Sequence, residues 1–152
     1  MLMLLRREFK VELPVKDAWQ HLSQVEKWPT WAEHIKKVKV QAGSPLNPKS
    51  EGVIYLSNGI KSAFSMIEFN PYTNWKWAGR FLWLNVHYDH IFEEVDSRRT
   101  KLTWVVEADG IGVSVFGKLF AKIYKKNLDK AIPALIAEMN AREGGTVVTQ
   151  KS

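Results

Sequence analysis

Residues 53–69 read VIYLSNGIKSAFSMIEF, two apolar-rich runs joined by Asn58-Gly59. Asn-Gly between such runs is the strongest short hairpin signal, because both residues tolerate the positive φ of a tight turn. The segment predicts antiparallel strands over 53–57 and 60–69, with Tyr55 opposite Ser62 and Val53 opposite Phe64.

Reading toward the C-terminus, the same pattern repeats. After the turn NPYT (70–73), three further strands are expected at NWKWAGRFLWL (74–84), VHYDHIFEEV (86–95) and, past DSRR, KLTWVVEADG (101–110). Two-residue turns at Pro71-Tyr72 and Leu84-Asn85 and a three-residue turn at 97–99 then set the register. They place Met66 against Trp77, Trp77 against Phe92, Phe81 against Tyr88 and Gly79 against His90. Phe92 then faces Trp104, and His90 faces Val106. All fall on one side of one sheet, and the other side carries Lys76, Arg80, Asp89, Glu93, Lys101, Thr103 and Glu107. A long helix follows from Val113 to about Arg142, apolar through Val115, Phe116, Leu119, Phe120, Ile123 and Tyr124 and kinked by Pro133. GGTVVTQKS (144–152) reads as a flexible tail.

Toward the N-terminus lie a breaker-rich loop (43–52), the strand IKKVKVQ (35–41) and two short helices, PTWAEH (29–34) and VKDAWQHLSQV (15–25). Met3, Leu5, Phe9, Val11 and Leu13 alternate with charged residues, which predicts a first strand ended by Pro14. Arg7 is the one charge on its apolar side, read as snorkelling to solvent or as an anchor for an acidic ligand head. A meander this long cannot bury its inner face alone, and the C-terminal helix is the available cover. The expected fold is therefore α+β, a helix-grip domain over residues 1–143. In it a curved antiparallel seven-stranded sheet wraps a long C-terminal helix, with two short helices after strand 1.

This element order, with ELPVKDAWQHLSQVEKWPTWAEHIKKV near the start and GVSVFGKLFAKIYKKNLDKAIPALIAEM at the end, resembles the SRPBCC (START-like) superfamily. Pro14, Trp19 and the Pro29-Thr30-Trp31 triplet match positions recurrent in its polyketide cyclase/dehydrase and lipid-transport-like branch. The resemblance implies the helix-grip fold and a hydrophobic pocket. The branch spans ligand carriers, cyclases and hydrolases, so no one activity follows from it.

Composition narrows the function classes. A chain of 152 residues without cysteine has no disulfide, thiol nucleophile or thiolate metal site, in keeping with a reducing cytoplasm. MLMLL is too short, and its arginines follow rather than precede it, so no signal peptide or membrane span is expected. The net charge of +6 raises nucleic acid or anionic membrane as partners. Lys118, Lys122, Lys125, Lys126 and Lys130 instead recur at helical spacing as one solvated stripe, which argues against nucleic acid and leaves peripheral membrane contact open.

The inward set holds more bulk than one helix needs to cover. The expected cavity lining is Tyr55, Phe64, Met66, Trp77, Phe81, Tyr88, His90, Phe92, Trp104, Val106, Phe120 and Tyr124. In KWPTWAEHI (27–35), Trp28 and Trp31 read as a plug closing one end of the bowl. His90 is a core histidine with a polar neighbour, a ligand contact, or a proton donor and acceptor together with Tyr88. No nucleophile elbow, phosphate loop or dinucleotide fingerprint occurs, and the histidines at 21, 34, 87 and 90 lack metal-ligand spacing, so no metal or cofactor is expected. Three functions remain: binding or transport of a small hydrophobic or amphipathic ligand between sheet and helix; polyketide cyclase/dehydrase-like chemistry through His90 and Tyr88; or docking of an acidic partner or membrane on the basic helix face.

Overall fold

The computed structural model describes residues 1–43 and 45–148, with side chains through 141. Strand β1 (Leu2–Val11) leads through Pro14 into α1 (Val15–Ser23) and a 3-10 segment, Val25–Thr30. β2 (Ile35–Val40), β3 (Glu51–Leu56), β4 (Lys61–Asn70), β5 (Asn74–Phe81), β6 (Leu84–Asp96) and β7 (Arg99–Asp109) follow, and α2 spans Val113–Val148. The strands form one antiparallel sheet of order β1-β7-β6-β5-β4-β3-β2. The first strand thus joins the meander beside its last one, and the sheet stays open, with β1 and β2 at its edges. Lys37 and Lys39 line the β2 edge, where charge deters pairing with another chain.

The core lies between the concave sheet face, α1 with the 3-10 segment, and the C-terminal two-thirds of α2, through Leu128, Ala131, Leu135 and Met139. The second helix differs from expectation. Its turn begins at Val25, and Pro29 sits near its end, where Trp31 and Ala32 both donate back to the Trp28 carbonyl. α2 runs past Arg142 and through Gly144-Gly145 to Val148; the remainder of the expected tail, residues 149–152, lies outside the described residues.

Three hairpins depart from the predicted register, and their parity matters. The β5–β6 turn is Leu82-Trp83, two residues earlier than expected, which pairs Trp75 with His90, Trp77 with Tyr88 and Gly79 with Val86. The earlier turn admits Leu84, which is fully buried, to the inner face. At β6–β7 an irregularity at Glu94/Asp96 pairs His90 with Trp104 and Tyr88 with Val106. Both slips are even, so every side chain keeps its face although its neighbours change. At β4–β5 a three-residue turn and an irregularity at Met66/Glu68 cancel, leaving Met66 opposite Trp77 as expected.

The β3–β4 slip is odd. Leu56 N–H donates to the Ile60 carbonyl around a Ser57-Asn58-Gly59 loop in which Gly59 has φ +92°. Tyr55 therefore pairs with Lys61 and Lys37, on the face opposite Phe64. Its ring lies under the Lys37 ammonium at 4.6 Å and that of Lys61 at 5.5 Å. Tyr55 is not a cavity residue.

Candidate functional site

Cross-strand pairing assembles the site in rows. One row runs Trp75, His90, Trp104 and Arg7 across β5, β6, β7 and β1; the next runs Met66, Trp77, Tyr88, Val106 and Leu5 across β4 to β1. Alternation puts both rows on the inner face, so three strands, β5, β6 and β7, deliver their aromatic side chains to one place. From the other side the 3-10 segment lowers Trp28 onto them, fixed by its indole N–H donating to the Leu22 carbonyl at 2.9 Å.

The result is an imidazole caged by four indoles. Ring centroids lie 4.9 Å from His90 for Trp75 and Trp77, 5.9 Å for Trp28 and 6.0 Å for Trp104. His90 Nδ1 lies 3.3 Å from the Trp75 carbonyl oxygen. A carbonyl only accepts, so this contact puts the proton on Nδ1 and makes Nε2 the ring's acceptor atom. Burial drives the His90 pKa down to about 3, against a smaller opposing effect of that hydrogen bond. The imidazole is neutral across the physiological range.

Two donors in the same cluster have no partner. The indole N–H groups of Trp75 and Trp104 are both buried and bond to no atom of the described residues. A buried donor left unmatched costs about 1–3 kcal/mol. The row thus presents two unmatched donors beside a neutral imidazole in otherwise apolar surroundings. Above it, Tyr88 and Tyr124 stand 5.9 Å apart. Burial, with Tyr124 beside it, holds the Tyr88 phenol well above its ordinary value, and burial pushes Tyr124 up to about 12.

Phe64 packs on Trp77 at 4.3 Å, Phe92 on Trp19 at 4.9 Å, and Phe81 on Phe120 at 4.8 Å. Phe120 and Tyr124 stack at 5.5 Å on the inner side of α2. Arg7 is held in an ion pair with Asp129 of α2, partly exposed, rather than turned freely to solvent. Trp75, fully buried and stacked on His90, was not among the expected lining residues. Its signal was present, since it shares the alternation of Trp77 two positions on.

Trp31 belongs to two environments. It packs against Trp28 at 5.5 Å and Trp104 at 5.9 Å, and it also lines an open cleft of about 380 Å³ between the 3-10 segment and α2. His21, Gln24, Lys27, Thr30 and Glu138 complete that cleft. The Glu138 carboxylate joins its walls, 2.7 Å from His21 Nε2 and accepting from the Thr30 hydroxyl at 2.7 Å. Nothing in the sequence pattern connects His21 to a glutamate at the other end of the chain. A second cleft of about 350 Å³ holds Glu33, His34, Lys126, Asn127 and Lys130; burial lowers the His34 pKa, against the neighbouring Glu33. His87 and Asp89 sit on the outer face, where Asn74 donates to Asp89 at 2.9 Å. Among the described residues no helix is long and apolar enough to cross a membrane, and no group of three or more acidic or histidine side chains is placed to hold a metal ion.

Comparison with known proteins agrees with this fold. The model of a family described as polyketide cyclase / dehydrase and lipid transport matches residues 4–140. Nothing among the curated proteins matches. A solution NMR structure from Thermobifida fusca is similar at TM-score 0.71 and 17% identity, covering 90% of this chain and 93% of that one. A START superfamily protein from Mycobacterium smegmatis aligns at TM-score 0.65 and 12% identity, over 88% of this chain and 97% of its own. The di-domain ARO/CYC StfQ from the steffimycin biosynthetic pathway aligns at TM-score 0.69 and 14% identity, over 94% of this chain and 52% of StfQ. At such identities these likenesses speak for the fold.

Proposed function

Because the chain belongs to the polyketide cyclase / dehydrase and lipid transport family, we propose that it binds a small hydrophobic or amphipathic molecule between the sheet and α2. The observation that carries this reading is the pair of unmatched indole N–H groups, Trp75 and Trp104, flanking a neutral histidine. Buried donors in native proteins are almost always satisfied, so a pair left over in one aromatic cluster points to an occupant. The occupant's apolar body would lie against Trp77, Phe64, Met66, Phe81 and Phe120, and a carbonyl or ether oxygen would take the indole protons.

The rings around His90 touch one another, so a ligand gains room by moving them. Trp31, between outer cleft and inner cluster, is the ring whose swing joins the two, with Trp28 behind it. Proton transfer by His90 and Tyr88 has less support. A histidine titrating near 3 and a phenol raised by burial both lie far from the pH at which they would have to work.

The test pairs native mass spectrometry of the purified protein with a titration by two near-isosteric probes, 1-tetralone and tetralin, read from the indole N–H signals in NMR. The ketone is expected to bind at least about tenfold more tightly, the worth of a hydrogen bond to an otherwise unmatched donor, and to shift the Trp75 and Trp104 signals. Equal affinities, or shifts confined to surface tryptophans, would rule the site out.

A further inference from the structure

The N-terminal turns of α2 contradict the sequence reading. Val115, Phe116, Leu119 and Ile123, expected to cover the sheet, face solvent, while Gly117, Phe120, Tyr124 and Leu128 turn inward. Apolar residues occupy more of this helix's circumference than the sheet can cover. The surplus merges with two turns. Trp83 packs edge-on against Phe116 at 4.8 Å, and its indole N–H donates to the Ile111 carbonyl at 2.8 Å. Leu82 beside it is 59% exposed and Ile111 88% exposed.

Folding does not account for Leu82. Its φ is +56°, at a turn position where glycine or asparagine is the comfortable choice, and its side chain leaves the core. On the adjoining turns of α2 the charge has one sign, and the nearby Asp109 at the end of β7 accepts from the Asn85 amide at 3.1 Å. Lys118, Lys122, Lys125 and Lys126 are exposed on the same stretch of α2, and no acidic residue precedes Asp129 on that helix. Among the described residues none of the four lysines is ion-paired.

We propose that this end of the molecule docks on an anionic phospholipid surface. Leu82, Ile111, Leu119 and Ile123 enter the boundary between headgroups and acyl chains, Trp83 sits at the interface, and the lysines meet the phosphates. An exposed apolar face flanked by unpaired lysines is what an interfacial helix needs for such a surface. A second copy of the chain fits less well, since a two-fold contact would press one set of lysines against the other. The proposal is independent of what binds inside the sheet.

Co-sedimentation of the intact chain with vesicles tests it, using phosphatidylcholine alone and an equimolar mixture with phosphatidylglycerol. Partition is expected to be at least about tenfold stronger into the anionic vesicles and to weaken as salt rises to about 0.5 M. Leu119→Glu, at an exposed site, should reduce it about tenfold or more. Leu82→Gly should reduce it several-fold while the melting temperature holds or rises, because glycine relieves the positive φ. Partition indifferent to phosphatidylglycerol, or unchanged in both variants, would overturn the proposal. So would a dimer in light scattering that Leu119→Glu converts to monomer. The tetralone titration reads a different site, so either idea can fail alone.

Discussion

His90 and Trp75 are joined twice: their rings stack at 4.9 Å and 25°, and the imidazole Nδ1 approaches the indole residue's own backbone carbonyl at 3.3 Å. The two are direct cross-strand partners on β5 and β6. A side chain so enclosed is fixed in ring orientation and in tautomer. It is a polar atom built into an aromatic wall.

That enclosure makes stability depend on pH. Burial lowers the folded-state His90 pKa from 6.5 to about 3, so the unfolded chain binds more protons between those values. The contribution of the neutral imidazole is complete above about 6.5 and is lost as the pH falls toward 3. Urea unfolding at pH values of about 7, 5.5 and 4 should show wild type losing stability faster than His90→Phe. Parallel decline in the two proteins would show that His90 is not the buried group.

The unmatched indoles give a second expectation. Trp104→Phe keeps most of the ring area and deletes the free N–H, so it should cost less than about 1.5 kcal/mol. Trp75→Ala, which empties a fully buried position, should cost about 3–5 kcal/mol. Chemical denaturation of the two variants separates a donor that folding tolerates from a ring that folding needs.

Trp31 is expected to govern access. Trp31→Ala should speed association of 1-tetralone in stopped-flow fluorescence several-fold while changing its equilibrium affinity less, as for a gate rather than a wall. A loss of affinity with unchanged association rate would make Trp31 part of the wall.

The faces of β3 and β4 can be checked directly. Phe64 is buried against Trp77 and Gly52, so Phe64→Ala should cost about 3–5 kcal/mol. Tyr55→Ala, on the outer face under two lysines, should cost less than about 1 kcal/mol. Gly52→Ala should be severe, because a Cβ there would meet the Lys39 carbonyl and the Phe64 ring.

The contrast between Phe64 and Tyr55 also shows what was legible beforehand. Alternation told apart the inner and outer faces of β4 to β7, and even slips in turn placement left that assignment intact. At Asn58-Gly59 the residue types announced a hairpin, but loop length decides parity, and a three-residue loop sent Tyr55 outward. On α2 the pattern marked which residues are apolar; how far the sheet reaches along the helix decides which of them are covered, and that belongs to the tertiary structure. The His21–Glu138 contact arises from packing alone, between positions 117 apart in the chain.

The placement of β1 beside β7 has a consequence for how the chain is made. Leu2 pairs with Ala108 and Val11 with Thr100, so the first strand has no partner until nearly the whole meander has left the ribosome. Pairings this remote form slowly, because a long loop must close before any contact rewards it. The nascent N-terminal segment, with Leu4, Leu5 and Phe9 uncovered, therefore spends much of synthesis as an exposed strand. Its alternating Arg6, Glu8, Lys10 and Glu12 are then what keeps it in solution.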